Sequence, residues 1–180
     1  MEFIIKVAPN PDQRPPMTDT EGNDIPADPA GPTILFVFKS SIEQHVGEIS
    51  YFRVVSGKVT EGMELLNMRT ENKEKLSQLF AVAGKNRVKV SEMSAGDIGC
   101  TVKLKSTRTG DTLAPAGSHT VISPMVFPEP RYRAAVRAVN QADEEKLGEL
   151  LNKARYEDPT LLVEYSKELK QTIVQGQGEL

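Results

Sequence analysis

Phe127-Pro128-Glu129-Pro130, Glu157-Asp158-Pro159-Thr160 and Gly176-Gln177-Gly178-Glu179-Leu180 punctuate the last third of this chain. What lies between these breakers decides how that third folds. After the first, Tyr132, Ala134, Val136 and Ala138 alternate with Arg131, Arg133, Ala135 and Arg137, the period-two pattern of a half-buried strand. Leu147, Leu150, Leu151 and Ala154 then recur at i, i+3, i+4 and i+7, one face of a helix. Asn140 is the expected N-cap, Asp143, Glu144 and Glu145 suit the positive end of the helix dipole, and Lys153 and Arg155 suit the other end. Gly148 costs roughly 1 kcal/mol against alanine in a helix interior, so the apolar face has to outweigh it.

Pro159 stops that helix, because the residue before a proline is pushed out of the α region. The apolar runs Leu161-Leu162-Val163-Glu164-Tyr165 and Thr172-Ile173-Val174 flank a polar turn and predict a hairpin. The order is β-α-β-β. Gly176 to Leu180 then reads as a turn opening into a helix, so residues 124–180 are expected to hold the first part of a ferredoxin-like β-α-β-β-α-β unit. An end on the first residues of an apolar element leads us to expect a piece of something larger.

Working outward, residues 32–123 read as strands throughout. Thr33-Ile34-Leu35-Phe36-Val37-Phe38-Lys39 and Gly47-Glu48-Ile49-Ser50-Tyr51-Phe52-Arg53-Val54-Val55 are β-rich, and Ser56-Gly57, Glu61-Gly62, Ala95-Gly96-Asp97 and Thr109-Gly110-Asp111-Thr112 mark turns. Asn72-Lys73-Glu74-Lys75 is read as a break, and residues 76–82 fit a strand or a short helix equally. Short strands at this spacing indicate a barrel or a sandwich. Residues 1–31 carry prolines at 9, 11, 15, 16, 26 and 29 among Asp, Asn, Gly and Thr, and read as an extended linker from an upstream domain.

The 180 residues carry 22 Lys and Arg against 25 Asp and Glu, a net charge of −3, which argues against a nucleic-acid-binding domain as a whole while leaving room for a local basic patch. The single Cys100 cannot form an internal disulfide and reads as a small buried hydrophobe. The start of the chain fits neither a signal peptide nor a membrane span. Gly57-Lys58 and Gly84-Lys85 lack the glycine five residues earlier and the following Ser or Thr that a phosphate-binding loop needs, so no site for nucleotide hydrolysis is recognisable. His45 and His119 have no partners at metal-ligand spacing, no G-x-S-x-G elbow is present, and Glu157-Asp158 reads as a helix terminator rather than an acid–base pair.

Three sets of basic residues remain. Lys85, Arg87 and Lys89 alternate along one strand. Lys103, Lys105 and Arg108 approach the Thr109-Gly110 turn. Arg131, Arg133 and Arg137 share a strand face. Such rows contact phosphates, or they are the solvated faces of half-buried strands, and pattern alone does not separate the two. No aromatic interleaving supports single-strand stacking.

Taken in order, Phe36-Val37-Phe38-Lys39, Val46-Gly47, Phe52-Arg53-Val54, Ser56-Gly57, Ala95-Gly96-Asp97-Ile98, Thr109-Gly110-Asp111-Thr112-Leu113, the 127–130 segment, Ala142-Asp143, Glu145-Lys146-Leu147 and the two later breakers resemble the second and third domains of the elongation factor G family of translational GTPases. Val55 stands where the family has Tyr, Gln177 where it has Met, and Lys167-Glu168-Leu169-Lys170 where its hairpin turn carries Gly; these departures resemble those of divergent paralogues.

The resemblance implies a translation-factor β-barrel at 32–123, followed by an incomplete ferredoxin-like α/β sandwich at 124–180, with 1–31 leading from a GTPase domain. It implies a non-catalytic, cytoplasmic, monomeric portion that binds the ribosome and couples conformational change to tRNA and mRNA translocation. No cofactor is expected here, since GTP and Mg would belong to the GTPase domain. Implied partners are small-subunit ribosomal RNA, a ribosomal protein and the parent's GTPase and C-terminal domains, with no membrane. Arg53, Lys85, Arg87, Lys105, Arg108, Arg131 and Arg133 are the candidate ribosome contacts. Phe127, Pro128, Glu129 and Pro130 form either a hinge or a plain rigid linker. The alternatives are the equivalent portion of a ribosomal protection or release-type GTPase, and a small-cofactor-binding barrel enzyme, which would need a cluster of convergent polar groups that the sequence does not offer.

Overall fold

A computed structural model describes residues 2–84 and 86–179. The chain divides into two units, Met1–Pro124 and Met125–Leu180.

The first unit opens with a short helix α1 (Glu2–Val7) and one 3-10 turn (Pro11–Gln13). Residues 17–31 differ from the extended linker expected of them. Strands β1 (Met17–Thr18) and β2 (Asp24–Ile25) pair with each other, and the Asp19 carboxylate closes their turn by accepting from the backbone N–H of Glu21 and Asn23 at 2.9 and 2.8 Å. Asp19 also bridges to Ile122, the Thr20 N–H donates to the Val121 carbonyl at 2.9 Å, and the Ser123 hydroxyl donates to the Asp19 carbonyl at 2.7 Å. Ile25 and Ile122 are buried. Prolines forbid a long ladder, but they do not forbid a two-residue one held from outside.

Strands β3 (Ile34–Glu43) and β4 (Gly47–Ser56) form the long hairpin on which this unit is built. Its register shifts at Ile34/Leu35 and at Val37/Lys39. Such bulges bend and coil a ribbon, which lets one hairpin serve two clusters. Leu35, Val37, Phe52 and Val54 face the main core, while Ile49 joins Cys100 and Val102 in a smaller one. The next elements are β5 (Lys58–Thr60), β6 (Glu64–Asn67), β7 (Lys73–Lys75), β8 (Leu79–Ala83), β9 (Asn86–Val90), β10 (Glu92–Ser94), β11 (Ile98–Val102) and β12 (Thr112–Ala114). One antiparallel sheet runs β7-β6-β12-β3-β4-β11-β8-β9 and wraps the core as a barrel, and β5 pairs with β10 beside it.

Residues 79–83 are strand because β11 and β9 pair with them on both sides. The expected break at residues 72–75 is instead strand β7, with Glu74 turned inward and 1% exposed. A charged residue occupies that position because the barrel supplies it with donors, described below.

In the second unit, β13 (Tyr132–Val136) is followed by a 3-10 turn (Gln141–Asp143), helix α2 (Glu144–Glu157), β14 (Leu162–Ser166) and β15 (Gln171–Gly176). The three strands are antiparallel in the order β13-β15-β14, so the β-α-β-β order expected from the sequence is present. Asn140 stands at the N-cap position of the 3-10 turn rather than of the α-helix; its carbonyl accepts from the Asp143 N–H at 3.0 Å and its side chain makes no capping bond. Leu147 and Leu151 are half-buried and Leu150 is exposed. The expected helical opening at 176–180 is a bend over Gln177 and Gly178, and Leu180 lies outside the described residues.

The three breakers do specific work. Asp158 ends α2 by donating its N–H to the Ala154 carbonyl, and its carboxylate accepts from the Thr160 N–H and hydroxyl at 2.9 and 2.7 Å. The first and third breakers meet. The Arg131 N–H donates to the Gly176 carbonyl at 2.9 Å, and the Gln177 amide donates to the Pro128 carbonyl at 2.8 Å.

Gly57 supplies a sharp test of the barrel. Its φ is +72°, and a Cβ there would lie 2.7 Å from the backbone of Pro32 and Thr33. Gly57→Ala should cost roughly 1–3 kcal/mol from backbone strain alone, with the close approach adding to it. Urea denaturation of the variant against the parent chain measures the loss; an unchanged midpoint would contradict this packing.

Candidate nucleic-acid interface

The basic residues singled out from the sequence fall into different environments. Arg87 lies on β9 and forms an ion pair with Glu43, across the barrel wall. The hydrogen bond from Arg87 is the main reason the Glu43 carboxyl is held below its ordinary value. Lys89, two residues on, pairs with Glu61 at 2.8 Å. That row is therefore occupied by the protein's own carboxylates, and Lys85 lies outside the described residues. Arg53 is half-buried on β4, lining a cavity of about 220 Å³ with Arg14, Met17 and the prolines of the N-terminal segment. Arg131 and Arg133 are exposed on the second unit, and Arg133 shares a sheet face with Ala135, Ile173 and Gln175.

Lys105 and Arg108 differ from Arg87 and Lys89 in having no carboxylate partner, and from Arg131 and Arg133 in lying on a loop tied down by buried carboxyls. They are exposed on the loop joining β11 to β12, together with Lys103, and none of the three pairs with a carboxylate among the described residues. The loop itself is held from beneath. Leu104 is buried in the main core. The Glu74 carboxyl accepts from the N–H of Lys105 at 2.9 Å and of Ser106 at 2.8 Å, and from the hydroxyls of Ser106 and Thr107 at 2.9 and 3.0 Å.

At the loop's far end, Asp111 is buried at 3% exposure. It accepts from the Arg108 N–H at 3.0 Å, from the Asn67 amide at 2.8 Å, and from Nε and Nη2 of Arg69 at 2.6 and 2.8 Å. Such two-pronged guanidinium bonds are among the stronger polar contacts a protein makes. Burial pushes the Asp111 carboxyl up, but the bonds from Arg69, Asn67 and the Arg108 N–H, with the charge of Arg69, outweigh it and hold the group below its ordinary value. The result is a loop of hydrogen-bonded backbone that presents exposed cations without carboxylate partners. Exposed Lys and Arg side chains held in register are the groups that contact a phosphate backbone.

Glu74, Asn67, Arg69 and Asp111 escaped the sequence reading as a group. The one signal was Lys73-Glu74-Lys75 itself, a polar alternation between strands, which marks an inward charge only when its donors are known. They lie 31 to 33 residues further along the chain.

The 127–130 segment is tied to the second unit by the bonds from Gln177 and Arg131. The units divide ahead of it, between Pro124 and Met125. A methionine at position 177 could not donate this bond.

Among the described residues no group of three or more His, Cys, Asp or Glu could hold a metal ion. No helix among them is long and apolar enough to cross a membrane. The Gly57-Lys58 pair does not fit a nucleotide phosphate: the Gly57 N–H is spent on the Asp28 carbonyl at 2.8 Å and Lys58 pairs with Glu92.

The family model for elongation factor G domain 2 matches residues 32–116, and that for elongation factor G domain III matches residues 127–180. Elongation factor G of Ureaplasma urealyticum serovar 10 and that of Ureaplasma parvum serovar 3 are each 35% identical over 184 residues, an alignment that takes in the whole of this chain and 27% of theirs. The chain thus spans about a quarter of the length of the curated relatives it matches. A crystal structure of a Thermus thermophilus protein superposes with a TM-score of 0.79 at 27% identity, covering 99% of this chain and 25% of that one.

The Asp111 site gives a pH dependence with a definite sign. A carboxyl held low in the folded chain contributes stability above its unfolded value and loses it as pH falls through the folded one. Stability should therefore drop on acidification below about pH 4. Glu43 and Asp19 are also held low, so the Asp111 share is isolated by comparison with Asp111→Asn, which should be less stable at neutral pH and show a shallower acid loss. Thermal melts of both proteins across that range measure it.

Proposed function

We propose, from the premise that this chain belongs to the elongation factor G family and carries its second and third domains, that it is the ribosome-binding and conformational-coupling portion of a translational GTPase acting in tRNA and mRNA translocation. The observation that carries this reading is the pinned loop at 103–110, whose Lys105 and Arg108 are exposed, uncompensated and fixed in place. Its partner is the phosphate backbone of small-subunit ribosomal RNA, with a ribosomal protein as a further contact of the second unit. Arg53, Lys85, Arg131 and Arg133 are secondary contacts. Arg87 contributes less, because Glu43 already neutralises it.

The chain works in the cytoplasm, as a monomer and without a cofactor. It has no catalytic role of its own: GTP and Mg belong to the parent's GTPase domain. In the coupling role the 127–130 segment is a rigid lead-in to the second unit rather than the bending point, since Pro128 and Arg131 are bonded to that unit. Rotation is left to residues 124–126, where the units divide. Such rigid-body motion about a short joint is a standard way to pass on the state of a nucleotide site.

The test is binding of the chain to purified small ribosomal subunits at several salt concentrations. Lys105→Ala with Arg108→Ala should weaken binding and lower the slope of log affinity against log salt by about 1–2, the number of phosphate contacts removed. Equal affinity and slope for the parent and the double variant would overturn the assignment.

A further inference from the structure

Resting on the reading of the 103–110 loop as a phosphate contact, we propose that buried Glu74 is the positioning residue for that contact. It sets Lys105 and Arg108 in place through the loop backbone and never meets the partner itself. Glu74 lies on β7, 1% exposed, while its neighbours Lys73 and Lys75 point outward. Its two oxygens divide the loop between them. Oε2 accepts from the Lys105 N–H, and Oε1 accepts from the Ser106 N–H and from both hydroxyls.

The bonds continue from there. Thr107 Oγ1 accepts from the Asn67 amide at 3.2 Å, and the same amide donates to Asp111, which accepts from the Arg108 N–H. One connected set of buried and part-buried bonds therefore runs from Glu74 to the backbone of both cationic residues. Thr109, the residue after Arg108, donates its hydroxyl to that of Ser40 at 3.2 Å and ties the loop to β3 as well.

The geometry also explains why this position needs a carboxyl group. Two backbone N–H groups, on consecutive residues, point at two different oxygens. An amide has one acceptor oxygen, so glutamine must turn an NH₂ toward either the Lys105 or the Ser106 N–H. Hydroxyls can rotate to accommodate it; a backbone N–H cannot. One part-buried donor is then left without its acceptor, which favours release of the loop. With the loop held, binding orders only the two side-chain tips; with the loop loose, binding must order its backbone too.

The full chain tests this with Glu74→Gln alone, Lys105→Ala with Arg108→Ala, and all three together. Each is measured for hydrogen exchange at the Lys105 and Ser106 amides and for salt-dependent affinity to small ribosomal subunits. Glu74→Gln should speed exchange at both amides and weaken binding with a reduced salt slope, and it should add no further loss once Lys105 and Arg108 are gone. A purely structural role would give an additive loss in the triple variant, which would overturn the proposal.

Unchanged binding by Glu74→Gln, with the double variant weakened, overturns it as well and leaves the phosphate reading standing. A double variant that binds as the parent does removes the phosphate reading and the proposal with it. Circular dichroism and melting establish that each variant folds. If Glu74→Gln does not fold, Ser106→Ala with Thr107→Val keeps both backbone bonds, and it should give a smaller loss with the same non-additivity; an additive loss there counts against the proposal.

Discussion

A carboxyl group inside a barrel wall needs donors, and in the first unit those donors come from the 103–110 loop and from the turn that follows β6. Glu74 and Asp111 between them take the backbone N–H groups of Lys105, Ser106 and Arg108, together with the side chains of Asn67, Arg69, Ser106 and Thr107. A buried, unpaired carboxylate would be costly, so the loop is not at liberty to leave. The consequence reaches further than the loop. Asn67 ends β6, Glu74 centres β7, Asp111 precedes β12, and these three strands are neighbours in the sheet. The polar set thus joins the strands at one end of the barrel in a single arrangement, where apolar packing alone would tolerate others.

The same constraint sorts the charges. Four cations on the strands of the first unit are met by the protein's own carboxylates: Arg87 by Glu43, Lys89 by Glu61, Lys73 by Glu64 and Lys58 by Glu92. Exposed pairs of this kind add little stability, but they cancel local field. At the 103–110 loop the carboxylates are turned inward and used on backbone and on Arg69, so the outward cations keep their charge. A chain of net charge −3 can in this way carry a local excess of positive charge.

In the second unit the organising contacts are short and local. Asp158 stops α2 and turns the chain, and Gly176 and Gln177 hold the lead-in segment against the end of β15. The Gln177 amide makes a bond that an apolar side chain at that position could not. Because that bond closes on Pro128, the stiffness of the two prolines is added to the second unit.

Local pattern carried much of the architecture. The alternation from Tyr132 to Val136, the helical spacing of Leu147 and Leu151, and the turn signals of the barrel each report a side chain's relation to neighbours within a few residues, and sequence reports that directly. By local pattern residues 76–82 are ambiguous and 72–75 look like a break, because their state depends on strands that pair with them from afar. Residues 17–25 look like linker for the same reason: their ladder is held by residues 121–123. The candidate cations were visible in the sequence, but not their worth. Arg87 and Lys105 look alike there, and only the fold brings Glu43 to one and leaves the other bare. What the sequence determined by itself was where strands and helix begin, turn and stop. Which charges are spent inside and which are presented outward was decided by tertiary structure, since a hydrogen bond between Glu74 and Lys105 exists only once the barrel has brought them together.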